Sequence, residues 1–273
     1  MMITGTTRLL PLVGHPVAQV KSPPAFNAHF SRSGVDAVIF PVDVEPDAAE
    51  QFFSNLAGWK NCIGCSVTMP HKQRAFARVD IRTERAEMAG AVNIIRRNAD
   101  GTLVGDMTDG LAMVAALIAA GFTPAGARAL VVGGGGGAGS AIALALCEAG
   151  VEAMTILETD RDRSAAITAR LGTRFPGIDF STEKPPTQPV DLVLNATPLG
   201  MKPNDSLPVD VQFLSSGTYV ADVVTEPVET VLLARARAQG MPTVSGLDMV
   251  HWQLPFQMAH LHLPGWPQDG QAA

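Results

Sequence analysis

Val131-Val132-Gly133-Gly134-Gly135-Gly136-Gly137-Ala138-Gly139-Ser140 decides the fold. Two valines close a short apolar run that begins at Ala129, and a block of glycines breaks it. From about Ser140 to Glu148 the residues favour a helix, which Gly150 stops. A strand, a tight turn and a helix N-terminus, in that order, are what a dinucleotide site needs. The turn lets the backbone approach a pyrophosphate, and the helix end aims its free amides at it. Gly133 suits the turn, Gly135 and Gly136 lack the Cβ that would block phosphates, and Gly137 extends the same open stretch. A glycine triplet alone reads as a flexible loop. The flanking strand and helix make the cofactor reading the stronger one.

The pattern continues outward. Leu111 to Ala120 reads as a helix before the glycine block, and Ala153–Leu157 as a strand after it, followed by a helix from Asp162 to Leu171. Leu192–Asn195 and Tyr219–Asp222 are later strands, and Val228 to Gln239 a helix closed by Gly240. Strands alternating with helices predict a doubly wound, parallel α/β domain over residues 110–245. Glu158, closing the second strand, stands where a ribose hydroxyl is bound, and its carboxylate would repel a 2′-phosphate. NAD is therefore the expected cofactor, with NADP left open by Arg161 and Arg163.

Residues 1–109 form a second α/β pattern. Strands are expected at Leu9–Gly14, Ala37–Val42 and Cys62–Met69, with helices at Ala25–Ser33 and Asp47–Leu56. Ala91–Arg96 and Leu103–Gly105 flank an Asp100-Gly101 hairpin turn. Residues 246–273, helical in part between Leu247 and His262, are expected to pack back on this first domain.

Composition narrows the function. The 273 residues agree with two domains of roughly 150 residues each. A net charge of −6 and no basic stripe argue against nucleic acid, and the same balance argues against an anionic membrane surface. The uncharged run from Ala129 to Cys147 is too rich in glycine for a membrane helix. The N-terminus has no basic stretch followed by an apolar one, so no signal peptide is predicted. Three cysteines cannot all pair, which points to a reducing cytoplasmic compartment. Cys62 and Cys65 have no second pair to complete a zinc site and read as two buried thiols, so no metal is expected. His260 and His262 lack an acidic companion in the sequence and read as surface histidines, and Arg82 to Glu87 as a solvated helix face.

Lys72 follows a strand end in Ser66-Val67-Thr68-Met69-Pro70-His71-Lys72, and Asp109 lies in Gly105-Asp106-Met107-Thr108-Asp109-Gly110. Further marks are Gly14-His15-Pro16, Lys21-Ser22-Pro23, Gly90-Ala91-Val92-Asn93, Asn195-Ala196-Thr197-Pro198-Leu199-Gly200-Met201, Gly246-Leu247 and Gln253. In order and spacing, over nearly the whole chain, these resemble the shikimate dehydrogenase family. The resemblance implies a substrate domain joined to a Rossmann NAD(P)-binding domain, with a site in the cleft between them. It implies reversible reduction of 3-dehydroshikimate to shikimate, with quinate as a related substrate. Lys72 and Asp109 would be the catalytic pair. Ser22, Thr68, Asn93 and Gln253, with Ser66 beside them, would hold the substrate. Asn195 and Thr197 would line the nicotinamide, with Gly246 nearby. The partner is then a small cyclic hydroxy acid, bound by a monomer or homodimer.

Four segments, six positions in all, depart from the family pattern. Val20 replaces the first of two serines that bond the substrate carboxylate, Ser66 replaces an asparagine, and Thr225 a tyrosine. Glu158-Thr159-Asp160 replaces the Asn-Arg-Thr/Ser that clasps NADP. One lost donor to a carboxylate costs about 1.5–3 kcal/mol if nothing replaces it. The proton and hydride machinery is kept while the carboxylate end is altered. The alternatives are a relative acting on another polyhydroxy acid, or a silent dinucleotide sensor. Retention of both Lys72 and Asp109 argues against the sensor.

Overall fold

The computed structural model describes residues 2–182 and 189–263. The chain forms two compact units: Met1–Thr108 with Gln253–Ala273, and Asp109–Trp252.

The first unit contains β1 (Arg8–Gly14), α1 (Ser22–Arg32), β2 (Ala37–Asp43), α2 (Ala49–Leu56), β3 (Gly64–Val67) and α3 (Lys72–Arg78). There follow β4 (Ile81–Arg82), α4 (Glu84–Ala89), β5 (Ile94–Arg97) and β6 (Leu103–Asp106). Its sheet runs β2-β1-β3-β5-β6-β4. β1 pairs in parallel with β2 and β3, while β5 lies antiparallel to β3 and β6, so the predicted hairpin is present. Helix α1 starts at Ser22, three residues before the expected Ala25, because Pro23 and Pro24 occupy its first turn rather than precede it.

The second unit contains α5 (Asp109–Ala119), β7 (Arg128–Val132), α6 (Gly137–Glu148), β8 (Ala153–Leu157), α7 (Arg161–Arg174) and β9 (Asp179–Ser181). It continues with β10 (Leu192–Asn195), β11 (Tyr219–Asp222), α8 (Val231–Ala238) and β12 (Thr243–Val244). The strands lie β12-β11-β10-β7-β8-β9, and every neighbouring pair among the described residues is parallel. Ala129, Leu130 and Val131 are all buried, as in a strand covered on both faces. This is the doubly wound Rossmann arrangement the glycine turn predicts. Helix α8 starts at Val231 and not Val228, because Thr230 caps it through Oγ1 to the Leu233 amide, 3.3 Å.

Helix α9 (Gly246–His260) begins in the second unit and ends in the first. Ser245 and Asp248 close its N-terminus as a capping box, with Ser245 N 2.8 Å from Asp248 Oδ2 and Asp248 N 3.3 Å from Ser245 Oγ. Its far end does pack back on the first domain. Met258, with Leu261 and Leu263 beyond the helix, joins Leu10, Leu12, Phe26, Phe30, Ile39 and Ile94 in one buried cluster. No helix among the described residues is long and apolar enough to cross a membrane.

Candidate functional site

The glycine turn is as tight as its sequence demands. Gly133 takes φ +81°, and its amide donates to Leu157 O at 2.7 Å, joining β7 to β8. A Cβ on Gly139 would stand 2.1 Å from Gly133 O, so the third glycine is where the helix closes on the turn. Gly136 is the N-cap of α6 and offers no side chain to its first amides. Those amides, at the positive end of the helix dipole, suit an anion.

Glu158 stands at the same turn. A Cβ on Gly135 would come within 3.1 Å of Glu158 Oε2 and 2.9 Å of Arg163 Cβ. The other carboxylate oxygen, Oε1, accepts from the Thr159 amide at 2.9 Å and its hydroxyl at 3.1 Å. Arg163 is turned to Asp160, Nε to Oδ2 3.3 Å, and Asp160 also caps α7.

Thr197 reaches the turn from β10, its methyl 2.6 Å from where a Gly133 Cβ would be. Asn195 is fully buried and fully used. Its Nδ2 donates to Leu199 O and to Asp222 Oδ1, and its Oδ1 accepts from the Thr197 amide and hydroxyl. It shapes the loop that presents Thr197. Gly246 sits where a Cβ would meet Val224 O at 2.4 Å, so α9 starts hard against the loop after β11.

In the first unit, Lys72 opens α3 and its carbonyl accepts from the Val92 amide at 3.0 Å. His71 before it is fully buried, with Nε2 donating to Val44 O at 2.7 Å, and burial holds its pKa below the ordinary histidine value. Gly14 is required beneath this loop, since a Cβ there would lie 2.4 Å from the Thr68 methyl. Thr68 donates its amide to Val13 O. Asn93 is buried, and its Oδ1 accepts from the Thr108 amide at 2.9 Å. Ser66 is buried and its hydroxyl donates to Gln257 Oε1 at 3.4 Å. Ser22 and Gln253 are half-buried. Asp109 is fully buried at the start of α5, as the first residue of the second unit.

A curated shikimate dehydrogenase (NADP+) of Rhodospirillum rubrum is 39% identical over 259 residues, 91% of this chain and 89% of the relative. The chain belongs to the shikimate dehydrogenase family. Residues 12–95 match the model of the shikimate dehydrogenase substrate binding domain, a stretch that includes Ser22, Ser66, Thr68, Lys72 and Asn93. A crystal structure of a shikimate dehydrogenase in complex with NADP+ superposes with a TM-score of 0.81 at 29% identity, over 95% of this chain and 90% of the other. A ligand-free 5-ketofructose reductase of Gluconobacter sp. strain CHM43 does so at 0.78 and 29%, over 93% and 91%.

Two readings of this family member's sequence need correction. His260 is not a surface histidine: its side chain is 8% exposed, and its Nδ1 lies 3.6 Å from Asp106 Oδ2. The acidic companion missing from the neighbouring sequence comes from β6. The run from Arg82 to Glu87 is a solvated face only in part: Glu84 and Glu87 are exposed, the others are not. Arg82 lies on β4 with Nε on Phe76 O, Ala86 is buried, and Arg85 reaches Asp106 Oδ2 at 2.5 Å. His262 is exposed as expected, against Arg96. All three cysteines are buried free thiols, and burial pushes Cys62 up to about 11 and Cys147 to about 12. Among the described residues no group of histidine, cysteine and acidic side chains could hold a metal.

The sequence reading missed Asp106 and Asp222, each a buried carboxylate at the C-terminal end of a strand. A lone acid closing an apolar run is the sign that marks both.

Proposed function

We propose that the chain is an NAD(P)-dependent oxidoreductase interconverting 3-dehydroshikimate and shikimate, or a closely related cyclic hydroxy acid such as quinate. The observation that carries the reading is the glycine cradle. Gly133, Gly135, Gly136 and Gly137 leave the α6 amides open beside Glu158, which fits a pyrophosphate and the adjoining ribose. The bound nicotinamide nucleotide supplies the hydride donor or acceptor. Thr197 and Gly246 border its nicotinamide half, with Asn195 bracing Thr197 from behind. NAD is the favoured form, because the carboxylate of Glu158 opposes a 2′-phosphate and Arg163 is engaged by Asp160.

Ketone reduction needs a proton at the developing alkoxide, and the ammonium of Lys72 supplies it. In oxidation Lys72 takes that proton back. Asp109, fully buried at the start of α5, is the second proton-handling group. Ser22, Ser66, Thr68, Asn93 and Gln253 hold the substrate's hydroxyls and carboxylate. Three buried thiols suit a cytoplasmic setting.

A second reading has its own support. Val20 packs against the apolar cluster of the first unit, and the Ser66 hydroxyl is directed to Gln257. The carboxylate end is therefore poorer in donors than the family pattern, which favours a polyhydroxylated substrate without a carboxylate, the kind named for the 5-ketofructose reductase. The test is the initial rate of NAD and NADP reduction with shikimate and with quinate, and of NADH and NADPH oxidation with 5-ketofructose. Turnover of an acid with NAD supports the first reading. Turnover of the ketose alone replaces it with the second, and silence in every combination defeats both.

A further inference from the structure

Gln253, Gln257 and His260 recur on α9 at i, i+4 and i+7, and so form one polar stripe along the helix. Met258 and Leu254 lie on its apolar side, against the core cluster. The stripe is anchored to the sheet of the first unit at two places. Gln257, 2% exposed, accepts from Ser66 on β3. His260 reaches β6, two strands away in the order β3-β5-β6, with Nε2 2.9 Å from Val104 O. A carbonyl can only accept, so Nε2 carries the proton.

The other ring nitrogen faces Asp106, whose carboxylate is the hub of this region. Asp106 Oδ1 accepts from Thr83 Oγ1 at 2.5 Å and from the Met107 amide at 2.7 Å, and Oδ2 takes Arg85 Nη2 at 2.5 Å. The Met107 bond sets the turn out of β6, and the next residue, Thr108, is held by Asn93. One cluster thus joins the helix that carries Gln253 to the turn that holds Asn93. Two anchors on strands about 10 Å apart fix a helix in rotation as well as in position.

We infer that His260 is a positioning residue: its imidazole, held by the hydrogen bond to Val104 O and packed beside Asp106, sets the rotation of α9 and so the aim of Gln253 at the substrate. The inference rests on the proposed function for the role of Gln253, and on the geometry alone for the rotation of α9.

The test compares the full-length wild type with His260→Phe, which fills the space without a donor, and His260→Gln, whose amide can still reach Val104 O. His260→Leu stands in if the Phe variant does not fold. The apolar variant is expected to raise KM for the accepted substrate roughly three- to tenfold, the worth of one hydrogen bond, with kcat and nucleotide KM within about twofold of wild type. His260→Gln should restore the substrate KM. Amide hydrogen exchange over residues 250–260 should quicken in the apolar variant and recover in His260→Gln. Unchanged substrate KM and exchange overturn the inference. So does an equal loss in kcat and both KM values without rescue, which marks a merely structural residue. If the wild type turns over no substrate offered, the proposed function falls, and the exchange result alone decides whether His260 sets the helix.

Discussion

Asn195 gives one amide hydrogen to Asp222, Nδ2 to Oδ1 3.0 Å, and the other to Leu199 O at the same distance. Asp222 accepts twice more, from the Val224 amide at 3.0 Å and Thr230 Oγ1 at 2.8 Å. One buried carboxylate thereby ties the loop after β10, the loop after β11 and the cap of α8.

Burial pushes Asp222 up to about 6 from 3.8, against the pull of its three donors. A carboxyl raised in the folded state contributes stability that is full below its unfolded pKa and is lost as pH rises through about 6. Asp222→Asn keeps the acceptor for Asn195 and Val224 and cannot ionise. Relative to wild type it should gain up to about 3 kcal/mol between roughly pH 4 and pH 7. Urea unfolding of both proteins across that range checks this, and a constant difference would sink it.

Lys72→Ala should lower kcat about 10²- to 10⁴-fold, the usual contribution of a positioned acid or base. Nucleotide affinity, measured by calorimetry, should stay at the wild-type value. A variant that keeps its turnover removes Lys72 from the chemistry.

Glu158→Ser should shift the kcat/KM ratio toward NADP by about tenfold or more, since a like charge set against a phosphate costs several kcal/mol. The wild type should favour NAD. Rates with both nucleotides decide it, and a wild type that prefers NADP would reverse the reading of this residue.

Gly110→Ala tests the close approach of α5 to α6. The added Cβ would stand 2.1 Å from Ala141 O, a backbone atom that cannot step aside. A loss of about 1–3 kcal/mol follows if the two helices part slightly. Denaturant unfolding measures it, and an unchanged midpoint would show that the contact relaxes freely.

The parallel core was legible because its information is local. Ala153–Leu157, Leu192–Asn195 and Tyr219–Asp222 end where the sequence says they should. β4, β9 and β12 are two or three residues long, too short for any alternation to register. Side-chain roles were less legible wherever the partner is distant. Asn195 looks like a residue facing a cofactor until Asp222, 27 positions on, claims its amide. His260 looks solvated until β6 brings Asp106 beside it from more than a hundred residues upstream.

The first unit is discontinuous: it opens the chain and is completed by residues after Trp252. During synthesis, the 109–252 segment must be translated before Met258, Leu261 and Leu263 can cover Phe26 and Phe30. At 5–20 residues per second that interval lasts roughly 7–30 s. The second unit, contiguous in sequence, can close on the ribosome while the first still exposes part of its core. The nascent chain is therefore most open to chaperones and proteases in the segment up to Thr108, and a stop codon at 253 would leave that segment without the residues that seal it.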